Sequence, residues 1–158
     1  MIEDWIDTLC EVWLSVDAPG FRTMKSPYLI KEKNFPSAIS PKDDFPIALT
    51  IPATVNASYS VGGPNEAFYS GVTQFHITPD LSIGHIPAML PYYGKILRAA
   101  AANLKLSGLV HAFWINPENS IIGPMAMQFG DEAEHWGFMV NWTVKEQIVL
   151  TVGDPSVT

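Results

Sequence analysis

The sequence predicts an α+β fold: a mixed, mostly antiparallel sheet of about five strands with two helices packed on one face. Three stretches carry that prediction. Ile2 to Val16 spaces its apolar residues as one stripe of an amphipathic helix. Trp136, Phe138, Val140, Trp142 and Val144 alternate with Gly137, Met139, Asn141, Thr143 and Lys145, the period of a strand with one large apolar face. Between them, residues 90–106 open on Pro91, which suits a first helical turn, and run through an alanine tract. Strands joined by hairpins, with helices kept to one side, give a two-layer sandwich.

Taken in order, the first helix uses Ile2, Trp5, Ile6, Leu9, Val12, Trp13 and Val16. Glu3, Asp4 and Asp7 sit in its first turns, where the helix dipole favours negative charge. Ala18-Pro19-Gly20 ends it. Residues 22–46 read as an extended surface arm, punctuated by Pro27, Pro36, Pro41 and Pro46, with room for a short helix or strand. Ile47, Leu49 and Ile51 alternate with Ala48 and Thr50 as a strand that stops at Pro52 or passes it at a sheet edge. Residues 56–70 read as a flexible hairpin tip around Gly62-Gly63-Pro64.

Val72 to Thr78 is the next strand, with Val72, Gln74 and His76 on one side and Thr73, Phe75 and Ile77 on the other. The helix over 90–106 is expected to pack Tyr93, Ile96, Leu97, Ala100, Ala101 and Leu104 on one face and to stop at Gly108. Strands follow over 109–115 and 121–129, the second interrupted by Gly123-Pro124. An acidic turn at 130–134 leads into the alternating strand from Trp136, with 146–152 read as its extension. Residues 153–158 read as a loose tail. The whole of 1–158 is assigned to one domain.

Composition narrows the function classes. Charged residues make up 16% of the chain, against roughly a quarter in ordinary globular proteins. With so few charges, part of the surface is expected to be covered by other chains. The net charge is −7, spread along the chain without a basic stripe, which argues against binding nucleic acid by phosphate neutralisation. The first residues carry acids where a signal peptide carries bases. No run approaches the eighteen or so apolar residues of a membrane helix. Asn56-Ala57-Ser58 and Asn141-Trp142-Thr143 match the glycosylation sequon, and without a secretion signal both read as chance.

No catalytic constellation emerges. His76, His85, His111 and His135 lack metal-ligand spacing. His76 and His111 fall in expected strands and are placed to face each other across the sheet, but a metal there needs a third ligand. Cys10, the single cysteine, lies beside the first helix's apolar stripe, where a buried thiol is inert. Asp43-Asp44 and the acids at 131–134 sit in turn-like sequence and read as solvated. Gly62-Gly63-Pro64 lacks the lysine and helix of a phosphate loop. No catalytic residue, cofactor or metal is expected, and the chain is not expected to be an enzyme. The rival reading is a small hydrolase or ligand-binding domain, with a pocket between the second helix and the sheet and His76, His111, Tyr92 and Tyr93 as its polar groups.

The layout resembles the tail terminator (minor tail) proteins of long-tailed bacteriophages. The resemblance rests on the N-terminal helix, the proline-containing arm, FPIALTIPA (45–53), the glycine-bearing hairpin, LPYYGKILRAAAANLKL (90–106) and IIGPMAMQFGDEAEHWGFMVNWTVKEQI (121–148). It implies a structural virion protein at the head-proximal end of the tail, made in the bacterial host cytoplasm. Such a protein forms a homo-oligomeric, hexameric ring. The ring caps the tail tube protein, joins it to the head–tail connector protein and lets DNA pass without specific binding. No membrane is involved. Interface candidates are Phe35, Phe45, Tyr59, Phe68 and Tyr69, and Asp131, Glu132 and Glu134 are candidates for an acidic turn facing the lumen. A neighbouring connector or tail-completion protein of similar fold is the alternative within this class.

Overall fold

A computed structural model describes residues 2–16, 22–24, 45–59, 61, 65–128 and 133–148. The elements are α1 (Ile2–Val12), β1 (Arg22–Met24), β2 (Ile47–Ser58), β3 (Asn65–His76), α2 (Leu90–Ala101), β4 (Ala112–Ile115), β5 (Ile121–Met127) and β6 (His135–Ile148). Short 3-10 turns extend α1 through Trp13–Ser15 and lead into α2 over Ile83–Met89. The α+β class is as the sequence predicts. The 153–158 tail and most of the 22–46 arm lie outside the described residues, although β1 falls within the arm.

The sheet runs β1-β2-β3-β6-β4, and β5 pairs with β6 as well. β4 lies against Trp142–Lys145, and β5 lies against His135–Val140. The two short strands therefore occupy one edge position in series, and the sheet is five strands wide among the described residues. Among the described strands, only the β1–β2 pair is parallel. β5 shifts register between Ile122 and Met125, where Gly123 takes φ 148°. That conformation suits glycine and explains why Gly123-Pro124 interrupts the strand.

Register fixes the two faces. On the inner face, Ala48, Phe75 and Phe138 line up, followed by Thr50, Thr73 and Val140, then Gly71 and Trp142, then Tyr69 and Val144. The outer face carries Ile47, His76 and Gly137, then Leu49, Gln74 and Met139. The alternations expected for β3 and β6 are both borne out.

Both helices cover the inner face. α1 buries Trp5, Ile6, Leu9, Cys10 and Val12 against it, and Trp13 follows in the 3-10 turn. Trp5 meets Tyr69 and Trp142 edge-on, with centroids 5.2 and 6.1 Å apart, and Trp13 meets Phe75 and Phe113 in the same way. Edge-to-face packing suits the quadrupoles of these rings. A glycine at position 71 makes room for the Trp142 ring, which occupies the place of a Cβ there.

α2 departs from expectation in two ways. It ends at Ala101, because the Asn103 side chain donates to the Ala99 carbonyl (2.7 Å) and the Asn103 backbone tightens onto Ala100. The face it buries is Ile96, Ala99 and Ala100, with Met89 just before it, while Leu97 and Leu104 stay 46% and 51% exposed. Trp13, Phe75, Phe113 and Phe138 already fill the space over the sheet, so the helix sets its small side chains there. The hairpin also differs from expectation. Most of 56–70 is paired strand, with Asn56 opposite Phe68 and Ser58 opposite Glu66.

Candidate functional site

The most unusual surface is the far half of β2. Its first four residues are buried and its last six, Ala53–Ser58, are exposed on both faces. A strand normally hides at least one face. β1 flanks β2 only at Ile47–Leu49, so beyond that point the second edge of β2 has no strand partner among the described residues. β3 holds the segment from the other side and is itself paired with β6 as far as Ile148. The β2–β3 arm is thus the rim of a three-stranded segment, with Val55 and Tyr59, 57% and 72% exposed, along the sheet's edge. An exposed edge of this length is a template for pairing with another chain.

The second feature is polar and buried. His76 and His135 meet on the outer face with Nδ1 of His76 2.6 Å from Nε2 of His135, and their exposures are 1% and 0%. Phe45 closes over both rings, 5.7 Å from His76 and 4.5 Å from His135 between centroids. Gln74 Oε1 lies 3.3 Å from His76 Nε2. With that oxygen accepting a hydrogen bond from Nε2–H, His76 Nδ1 is the acceptor and His135 Nε2–H the donor. Burial, reinforced by the neighbouring imidazole, pushes His76 down to about 3. Burial also lowers His135, partly offset by the Ala133 carbonyl beside its Nδ1. Both rings are therefore neutral at pH 7, and the pair works as a packed hydrogen bond.

His111, expected opposite His76, is elsewhere. It precedes β4, and its N–H donates to the Lys145 carbonyl on the far edge of β6. β6 thus stands between the two histidines. No group of three metal-ligating side chains forms among the described residues. Tyr92 and Tyr93 pack toward Phe138 on the inner face, opposite to the side carrying His76, so the four polar groups of the pocket reading do not converge. A shallow, open cleft of about 530 Å³ lies at the turn between β4 and β5, lined by Asn116, Pro117, Glu118, Asn119, Ile122 and Asn141. Its amides are engaged within the turn: Thr143 donates to Asn116 Oδ1 (2.6 Å) and Asn141 Nδ2 to the Asn119 carbonyl (2.6 Å).

The interface candidates scatter. Tyr59 is at the arm's tip and open to solvent. Phe68 is on the outer face beneath the Lys145 ammonium, 5.7 Å from its ring centre, and Lys145 also pairs with Glu66 at 2.9 Å. Tyr69 turns inward onto Trp5. Burial, with the Glu146 carboxylate as second cause, pushes its hydroxyl up to about 12. Phe45 is spent on the histidine pair. Glu134 is exposed just before β6. Phe35, Asp131 and Glu132 lie outside the described residues.

Sequence reasoning missed the His76–His135 pair. The usable signal was parity: both positions fall on the face of their strands opposite the aromatic stripe. No family model matches the chain, and no curated protein matches it.

Proposed function

We propose that this chain is a structural assembly subunit of the tail-terminator kind, whose β2–β3 arm engages the neighbouring copy in a ring. One observation carries the reading. Ala53–Ser58 is ordered as strand while hiding neither face, with one backbone edge open among the described residues. Strand order without burial is what a segment shows when its contacts are made with another chain. A ring requires unlike surfaces on the two sides of each subunit, and an arm on one side supplies one of them. The low share of charged residues agrees with a chain much of whose surface meets protein. The acidic balance agrees with a lumen that DNA crosses without adhering.

Immunogold electron microscopy of purified tails tests the reading directly. Label at the head-proximal end, together with rings of the isolated chain in negative stain, is the expected result. Label along the tube or at the distal tip, or tails that carry none, overturns it.

A further inference from the structure

Both helices turn their solvent sides away from the same face of the sheet, and those sides are opposite in chemistry. α1 carries Glu3, Asp4, Asp7 and Glu11 and no base. The segment from Ile83 to Pro117, which contains α2, carries Lys95, Arg98 and Lys105 and no acid, in a chain of net charge −7. α2 also leaves an apolar seam uncovered. Leu90 and Leu97, 54% and 46% exposed, fall seven residues apart on one stripe, with Gly94 and exposed Ala101 between and beyond them. In the 3-10 turn that follows α1, Leu14 is exposed, at 53%.

We infer that this helix layer is a docking surface for a second copy of the same chain, with α1 of each copy lying on α2 of the other about a two-fold axis. Charge decides the partner. Pairing α2 and the turn after it with their own copy sets Arg98 and Lys105 against like charges, and pairing α1 with α1 does the same for Glu3 and Glu11. The crossed arrangement sets acid against base at both ends, and because acidic and basic helices share one face, a two-fold rotation makes both contacts at once. Leu14 then meets the Leu90–Leu97 seam, where Gly94 and Ala101 allow close approach. This contact closes on itself and uses neither β2 nor β3, so it stands apart from the arm proposed to build the ring.

The test is sedimentation-velocity and light-scattering measurement of the full chain carrying Val55→Lys and Tyr59→Lys, which removes the ring contact, with Glu11→Arg, Arg98→Glu, the combined reversal and Leu97→Asp added in turn, each checked for native circular dichroism. A dimer of this arm variant is expected, weakened about tenfold by either single reversal, since each reversal acts at two symmetry-related contacts. The combined reversal recovers the affinity of the arm variant, and Leu97→Asp gives monomer. An arm variant that is monomeric at the highest concentration reached overturns the inference. So does a combined reversal no tighter than the weaker single reversal, or dimerisation indifferent to Leu97→Asp. Tail labelling is unaffected by any of these outcomes, so the two readings fail separately.

Discussion

The buried histidine pair makes stability depend on pH in a calculable way. His76 is held neutral in the folded chain down to about 3, against 6.5 for a solvated histidine. Below 6.5 the unfolded chain binds a proton that the folded chain refuses, so stability falls as pH falls. The slope for one such group is about 1.4 kcal/mol per pH unit. From neutral pH to pH 5, His76 alone therefore costs the fold about 2 kcal/mol, a sizeable part of a domain's usual margin. His135 is shifted in the same direction and adds to the loss. The fold has a natural place for the first proton: Nδ1 of His135, beside the Ala133 carbonyl. The assay is urea unfolding of wild type and His76→Gln at several pH values between 5 and 7. The variant is expected to be less stable at pH 7, because it breaks the bond to His135, yet to lose stability less steeply on acidification, by about one proton's worth. Carboxylates titrate alike in both proteins and cancel from the difference. Parallel stability–pH curves for the two proteins refute the reasoning.

Other consequences are equally direct. Gly71→Ala puts a methyl group on the Trp142 ring and 2.5 Å from the Ile51 carbonyl oxygen, and is expected to cost about 2 kcal/mol in chemical denaturation. Thr73 accepts from Trp142 Nε1 (3.2 Å) and bonds Thr50 (3.1 Å). Thr73→Val leaves a buried indole N–H unpaired, for a loss of about 1–3 kcal/mol, whereas Thr50→Val spares that bond and costs less; the reverse order in denaturation midpoints contradicts the network. Val55→Lys combined with Tyr59→Lys touches only exposed positions and is expected to change monomer stability by less than about 0.5 kcal/mol while abolishing rings in native mass spectrometry.

The elements were legible wherever one period dominated. α1 and β6 each show a clean apolar stripe, and both fold as read, because a single buried face dictated the residue types. α2 was legible as a helix but not in its facing. Its leucines and alanines offer two candidate stripes, and only the aromatic bulk contributed by α1, β3, β4 and β6 decides for the small one. The same limit hid the histidine pair, whose members lie 59 residues apart and meet only because β3 and β6 are neighbours. Strand order is a property of the whole topology, and nothing local to His76 distinguishes His135 from His111 as its partner. The arm was obscured by its own composition. Ser, Asn, Ala and Gly over 56–70 read as loop, and pairing with β3 overrode that weak propensity.

That override bears on the proposed function. Fixing a residue's backbone costs roughly 1–2 kcal/mol, and a typical hydrogen bond returns about 0.5–1.5 kcal/mol. A strand that buries nothing on either face therefore lacks the apolar term that usually closes the gap, and β2 beyond Pro52 is held by what stands beside it. β3 can hold it because β3 is clamped on its other edge by β6 along the whole length from His76 to Asn65. Anchored in this way, the arm is stiff enough to reach outward yet gains little from its own chain. Contact with a neighbour is then worth more to it than to any element already buried. A ring closed through such arms draws stability from assembly while the helix-covered core keeps the subunit folded beforehand. The core and the arm share β3, so the strand that carries Phe75 into the centre of the protein also presents the arm's edge to the outside.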